Sequence, residues 1–373
     1  MSIIQHMQFS FSIPASIKKK GIPMKKISVI IPCYNVESYI DQCIRSLINQ
    51  TIGVDSLEII AINDASKDHT MDHLLSLEQQ YPQSILIVNC EQNGKQGRAR
   101  NIGLGYANAD YISFVDADDW LEPTAYEKMY KKAVKYNCDA VAAGYQPETS
   151  RTSSPMGPNG KKDQYYIIET DTERGGFVGV DFGAGFAGNL YRKSMLTDHQ
   201  IYFPEGYYYE DDYWYVLSMH YIRSAYIIGE DFYHYYQHSD STIHKRNSPY
   251  QLDRAYVEKL KLEELVRRGI FARFPTLYEH EFIRRYYMDM LYVLFMQFDR
   301  CDYRTIRQLH DDTYQIFPNY RDNPFVIRIL NGKGGAYMKE VYESLDKELT
   351  NESIDSLKQM CVADPGEWMH IRI

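Results

Sequence analysis

Tyr111-Ile-Ser-Phe-Val-Asp116-Ala-Asp118-Asp119-Trp120 is the stretch whose reading decides the fold. An apolar run suited to a buried strand ends in three carboxylates within four positions. Such charge at the end of a core strand is costly to desolvate unless a cation or ligand faces it. In open α/β sheets, ligands bind at the carboxyl ends of the strands. Asp116 and Asp118 flank one small residue, so both can turn toward a single hard cation, and carboxylate oxygens suit Mg²⁺ or Mn²⁺. The plainer alternative is a solvated acidic turn that caps the helix after Glu122-Pro123.

Upstream of this stretch, strand and helix alternate. Ile27 to Ile31 is a β-branched run closed by Pro32, and a helix follows from about Val36 to Asn49 with Ile40, Cys43, Ile44 and Leu47 on one face. Leu57 to Ile62 and Ile85 to Val88 read as further buried strands, and helices are expected around Met71 to Leu77 and over Arg98 to Ala107. Four such alternations within about ninety residues imply right-handed βαβ units and a mainly parallel sheet. Downstream, a helix to about Asn137 and a strand over Asp139 to Ala143 are expected, then a Pro/Ser/Gly loop from Gln146 to Lys162. The glycines of Gly175 to Gly188 suit close backbone packing around a pocket. Gly206-Tyr-Tyr-Tyr-Glu210-Asp211-Asp212-Tyr213-Trp214 opens a helix with Tyr213, Trp214 and Leu217 inward, and Tyr226 to Gly229 and Phe232 to Tyr236 read as strands. From about Tyr250 the spacing is helical, with mixed charge.

Composition narrows the class. The net charge of −9 argues against a general nucleic-acid binder, so no nucleic-acid partner is expected. The six cysteines show no metal-ligand spacing, and thiols such as Cys33 and Cys90 beside apolar runs suit a reducing, cytoplasmic setting. No apolar run has the length needed to span a bilayer. Residues 1–24 do not read as a signal peptide, because Lys18-Lys19-Lys20 follows the apolar residues instead of leading them. They are expected to be a disordered or spurious extension ahead of the pattern that begins at Met24.

Four strings, taken in order, carry a resemblance: Ser28-Val-Ile-Ile-Pro32-Cys-Tyr34-Asn35, Ile62-Asn-Asp64-Ala-Ser66, Ala99-Arg100-Asn101-Ile-Gly103 and Phe114-Val-Asp116-Ala-Asp118-Asp119. Together they resemble the family 2 glycosyltransferases of bacterial polysaccharide synthesis, inverting enzymes of the GT-A fold that use nucleotide-sugar donors. The resemblance covers roughly residues 25 to 245. It implies an α/β GT-A domain over 25–245, with a mainly parallel sheet flanked by helices, followed by a helical region over 246–373. It also implies a nucleoside-diphosphate donor, UDP-linked by preference, and a hydroxyl acceptor on a glycan or lipid-linked glycan.

The resemblance assigns roles by position. Asp64 matches the acid that accepts a hydrogen bond from the donor's base, with Asn63 standing where the family usually has a second acid; an Asx-turn is its ordinary alternative. Pro32, Tyr34 and Glu37 would line the same part of the donor site. Asn93 marks the loop, and Lys95, Arg98 and Arg100 would place cations near the diphosphate, an ion pair with an acidic loop being the commoner fate of a helix arginine. Asp118 would ligate Mn²⁺ or Mg²⁺, and Asp116 would contact the ribose or the metal through water. Asp119 would approach the sugar or cap the next helix.

Glu210-Asp211 resembles the family's Glu-Asp motif, whose aspartate takes the acceptor's proton. Asp211 is therefore the expected base, with Asp212 one register away; acids in a helix's first turn also simply complement its dipole. His238-Ser-Asp-Ser241-Thr242 resembles a loop that closes over the diphosphate, although Gln237 stands where an arginine is usual. The tyrosines and phenylalanines of 286–298 leave open an acceptor side, a homodimer surface, a peripheral contact at the inner face of the membrane, or plain core packing. A nucleotidyltransferase and a non-catalytic sugar- or nucleotide-binding module are the rival readings. The Pro-Cys-Tyr-Asn after the first strand counts against the former, and the Asp-x-Asp string together with Asp211 counts against the latter.

Overall fold

The computed structural model describes residues 25–152, 155–180, 182, 185–238, 245–333 and 335–363. The expected extension over residues 1–24 lies outside them. Chain order begins with strand β1 (Ile27–Cys33), helix α1 (Ile40–Ile48), β2 (Leu57–Asn63), α2 (Thr70–Gln80), β3 (Ile85–Asn89), α3 (Lys95–Tyr106) and β4 (Tyr111–Phe114). Next come β5 (Trp120–Leu121), α4 (Ala125–Lys135), β6 (Ala140–Glu148), β7 (Gln164–Ile167), α5 (Asp171–Val178), β8 (Leu190–Arg192), α6 (Lys193–Asp198), α7 (Glu210–Tyr221) and β9 (Ser224–Tyr236).

The nine strands form one mixed sheet in the order β3-β2-β1-β4-β8-β6-β9-β5, with β7 against β9. Its first four strands are parallel. Ile27 of β1 lies opposite Leu57 of β2 on one side and opposite Tyr111 of β4 on the other. Antiparallel β8 then separates β4 from β6. The β-branched residues of β1 and β2 are fully buried because helices cover both faces of a parallel sheet. Gly103 is required where α3 crosses β1: a Cβ there would lie 2.3 Å from Ile30 Cγ2. The Ala-Arg-Asn-Ile-Gly string is thus partly a packing motif.

Elements differ from the sequence reading where local chemistry outweighs pattern. The region 226–236 forms a single strand, and β6 runs on to Glu148 into the expected loop. The glycine stretch begins inside α5, because Thr170 and Glu173 form a capping box whose reciprocal hydrogen bonds start a helix despite Gly175 and Gly176.

The described chain folds as two compact units. The first takes the chain through Tyr166, then Phe182–Tyr202 and Ser224–Tyr236; the second takes Ile167–Asp181, Phe203–Arg223 and Gln237 onward. Helix α7 groups with the C-terminal helices, and within that unit Trp214 stacks on Phe203 at 5.0 Å.

The second unit continues with α8 (Asp253–Arg267), α9 (Ile270–Arg273) and α10 (Pro275–Phe282). A π-helical turn over Ile283–Met288 runs directly into α11 (Asp289–Met296). Then follow α12 (Tyr303–Ile316), α13 (Pro324–Arg328), α14 (Ala336–Ser344) and α15 (Asn351–Ala363). Tyr286, Tyr287 and Phe295 sit in the core of this unit, with Tyr292 and Phe298 packed partly buried against it, so these rings serve core packing. Among the described residues no helix is long and apolar enough to cross a membrane.

Candidate active site

Parallel pairing brings the carboxyl ends of β1, β2 and β4 to one edge of the first unit, and most of the expected donor residues lie in the loops there. Tyr34 follows β1 and is exposed, and Pro32 is half-buried inside the strand. The β1 and β2 loops are tied together by backbone donors. Glu37 N–H donates to Asp68 Oδ2 (3.0 Å), His69 N–H donates to a Glu37 carboxylate oxygen (2.7 Å), and Lys67 N–H donates to Asn35 Oδ1 (2.8 Å). Glu37 is therefore committed to loop architecture through at least one oxygen.

Asp64 is buried at the end of β2. Gly94 N–H donates to both of its carboxylate oxygens at 3.0 Å, and Asn93 Nδ2 donates to its backbone carbonyl at 3.2 Å. Burial raises its carboxyl above the ordinary value, opposed by the Gly94 bond and the charge of Arg98. Lys95 begins α3 with a left-handed φ of 64°, which turns the chain from Gly94 into the helix. Asn63, the departure from the family pair of acids, has work only an amide can do. It donates from Nδ2 to Asn89 Oδ1 (2.7 Å) while its own Oδ1 accepts the Ser66 N–H (3.3 Å).

The acidic turn after β4 divides its three carboxylates. Asp116 Oδ1 receives a 2.7 Å bond from Arg100, which is buried and lies 4.6 Å from the centroid of the Phe186 ring. Asp118 is half-buried. Asp119 is fully enclosed and corrects the expectation of a sugar contact or helix cap: it accepts the Tyr233 hydroxyl (2.5 Å) and the Tyr236 N–H (2.8 Å). Burial first, and then the neighbouring Asp118 and Asp116 charges, push its carboxyl well above the usual range. The same Tyr233 oxygen accepts the Asp116 N–H at 3.2 Å. Gly188 makes room for that ring, since a Cβ there would stand 2.4 Å from Tyr233 Cδ2.

Strand β9 thus holds the turn in place. His234 adds bonds to Glu122 and Glu148 (2.9 Å each) and stacks on Trp120 at 4.9 Å. Tyr233, Tyr236, Phe186 and His234 were not singled out from the sequence. The only advance signal for three of them was the aromatic density of Phe232-Tyr-His-Tyr-Tyr236.

In the second unit, α7 is preceded by Tyr209, which has a left-handed φ of 64°, and its first turn carries Glu210, Asp211 and Asp212. Glu210 is buried and Asp211 is exposed. Asp212 Oδ2 is 2.5 Å from Lys261 Nζ, and its Oδ1 is 3.6 Å from the Arg285 guanidinium. Lys261 is itself buried and bonds Glu258 at 2.8 Å. Opposed by burial but dominated by Lys261 and Arg285, these charges hold the Asp212 carboxyl far below the ordinary range. The π-helical turn supplies Arg285, and α8 supplies Lys261 and Glu258. Nothing in a mixed-charge helical sequence distinguishes these residues in advance. Residues 239–242 of the expected diphosphate loop lie outside the described residues.

Residues 28–196 match the family described as Glycosyl transferase family 2. The putative glycosyltransferase EpsH of Bacillus subtilis strain 168 is 30% identical over 256 residues, covering 64% of this chain and 71% of that protein. The uncharacterized glycosyltransferase YibD of Escherichia coli K12 is 29% identical over 250 residues, covering 65% and 72%. Among solved structures, Staphylococcus aureus TarS 1–349 in complex with UDP-GlcNAc shares the fold. Its TM-score is 0.68 at 16% identity, across 91% of this chain and 92% of that one. The fold is of the GT-A type. The chain belongs to glycosyl transferase family 2.

Proposed function

We propose that this glycosyltransferase moves a sugar, with inversion, from a nucleoside-diphosphate donor to a hydroxyl of a glycan or lipid-linked glycan in cell-surface polysaccharide synthesis. The observation that carries the reading is the shared strand edge where Tyr34 follows β1, Asp64 closes β2 and Asp116-Ala-Asp118 follows β4. Asp64 receives the base, beside Pro32, Tyr34, Glu37 and Asn93, and Lys95 supplies positive charge toward the phosphates. Arg100 acts through Asp116, whose orientation it fixes. UDP is the favoured nucleotide, since the TarS structure of the same fold is a UDP-GlcNAc complex.

Among the described residues no group of three or more His, Cys, Asp or Glu side chains is arranged to hold a metal ion. Two carboxylates at an open edge nevertheless fit Mg²⁺ or Mn²⁺, which are commonly bound through one or two carboxylates plus substrate phosphates and water. Asp118, with the Asp116 oxygen not bonded to Arg100, would hold it. When bound, the ion supplies Lewis-acid stabilisation of the leaving diphosphate.

Asp211 is the base. It takes the acceptor hydroxyl's proton as the oxygen bonds to the anomeric carbon and the bond to the diphosphate breaks. Asp212 is the poorer candidate, because one of its oxygens bonds buried Lys261 and the other lies 3.6 Å from Arg285, cations that hold it ionised and occupied. The setting expected is the cytoplasmic side of the membrane, where nucleotide sugars are available.

Thermal unfolding with a panel of nucleoside diphosphates and their sugars, with and without Mn²⁺, tests the reading. A ligand that binds only the folded state raises the melting temperature. A Mn²⁺-dependent rise with UDP or a UDP-sugar, lost in Asp118→Asn, is the expected result. A folded protein that responds to no nucleotide overturns it.

A further inference from the structure

The first turn of α7 is preceded by Tyr207, Tyr208 and Tyr209, and the second unit pairs each of them with a residue of 250–256. Tyr208 packs on Tyr250 at 4.7 Å between ring centroids, and Tyr207 lies 6.3 Å from Tyr256. The Arg254 guanidinium sits over the Tyr209 ring at 3.6 Å. Hydrogen bonds keep the two segments in step: Asp253 accepts the Tyr208 N–H (2.9 Å), and Gln251 accepts the Tyr209 hydroxyl (2.7 Å).

These rings are held but not hidden. Tyr250 is 45% exposed and Tyr256 60%, whereas Tyr286 and Tyr287 of the same unit are buried. Single exposed aromatics are ordinary, but a fastened cluster of them marks a contact surface. All five apolar surfaces here are tyrosine rings, each with a hydroxyl at its edge. Asp253 and Arg254, both half-buried, add polar groups beside them, and Asp211 follows two positions after Tyr209.

We propose that Tyr207, Tyr208, Tyr250 and Tyr256 form a stacking platform for the acceptor glycan. The flat C–H faces of pyranose rings lie on the tyrosines, and the half-buried Asp253 is the polar side chain beside them. This rests on the transferase reading above and locates its acceptor beside Asp211. The chemistry favours a carbohydrate over a lipid surface. A membrane-facing patch would combine Lys and Arg with Trp, Phe or Leu, whereas this one carries two aspartates. Ordered tyrosines also lose little conformational entropy on binding.

The test uses the full chain, a Tyr250→Ala/Tyr256→Ala double variant, and Tyr165→Ala as a comparably exposed tyrosine of the first unit. Saturation-transfer NMR with cellotetraose, chitotetraose and maltotetraose measures binding, and nucleotide-induced stabilisation is followed on the same proteins. Binding of at least one tetraose, weakened about fivefold or more in the double variant and unchanged in Tyr165→Ala, is expected from the loss of aromatic contacts. No binding of any tetraose overturns the platform, as does binding indifferent to the double substitution. So does tyrosine-dependent sedimentation with phosphatidylglycerol vesicles in place of glycan binding. Nucleotide stabilisation that persists while the platform fails leaves the transferase reading intact. Tetraose binding at these tyrosines with no nucleotide response keeps the platform and removes the donor site.

Discussion

Asp116-Ala-Asp118-Asp119 and Glu210-Asp211-Asp212 are two acidic clusters of similar density, one at a strand end and one in a helix's first turn. In each, partners from elsewhere in the chain commit one carboxylate to architecture. After β4 the enclosed member is Asp119, satisfied by a hydroxyl and a backbone N–H and, among the described residues, by no cation. In α7 Asp212 is held by buried Lys261 and by Arg285. Neutral donors leave the Asp119 carboxyl raised, whereas cations drive the Asp212 carboxyl down. A run of acids is therefore not one functional unit, and what each member can do depends on what stands opposite it.

The sharpest way to break this division is to exchange the roles within α7. Asp211→Asn is expected to lower sugar transfer by about 10²- to 10⁴-fold, the range for losing a general base, with nucleotide-induced stabilisation preserved. Asp212→Asn should retain transfer to within about tenfold, because its part is structural. Equal losses in steady-state assays of the two variants would erase the distinction.

Lys261→Met strands Asp212 and Glu258 in a buried setting. It is expected to cost about 3–5 kcal/mol in urea unfolding, as when one partner of a buried ion pair is removed. A Lys261→Met/Asp212→Leu double variant should recover much of that. An unchanged midpoint in the single variant would reduce the clamp to a surface-type pair.

Glu258 sharpens the comparison through pH. Burial, outweighing the attraction of Lys261, pushes its carboxyl up from 4.5 to about 8, and Asp212 adds to the rise. Lys261, Asp212 and Arg285 are the charged groups that face it. The folded chain thus holds this proton more tightly than the unfolded one. Its contribution is complete below about pH 4.5 and is lost as pH rises through about 8. In Glu258→Gln the fall in stability between pH 5 and pH 8 should be shallower, by up to about 1.4 kcal/mol per pH unit. A pH dependence identical to that of the unaltered protein would remove Glu258 from the network.

The smallest expected effect is at the other cluster. Tyr233→Phe deletes the hydroxyl that bridges Asp119 and the Asp116 N–H, and should cost about 1–3 kcal/mol with an enclosed acceptor left short of a partner. Melting temperature measures it. A larger loss than that of Lys261→Met would reverse the ranking of the two clusters.

Periodicity and end signals were sufficient for the parallel half of the sheet, since β-branched runs such as Ile27–Ile31 and Leu57–Ile62 have no stable place except between helices. The ordered strings over Ser28–Asn35, Ile62–Ser66, Ala99–Gly103 and Phe114–Asp119 were likewise enough to point to the family. The chain also advertised where acids would gather, because carboxylates after an apolar strand or at a helix start stand out against their neighbours. The tertiary structure alone decided what each acid does. Arg100 reaches Asp116 across 16 residues, Tyr233 reaches Asp119 across 114, and Lys261 reaches Asp212 across 49. Local pattern carries no record of such distant partners. A carboxylate's protonation and availability follow from its desolvation and from the groups opposite it, and both exist only once the chain has folded.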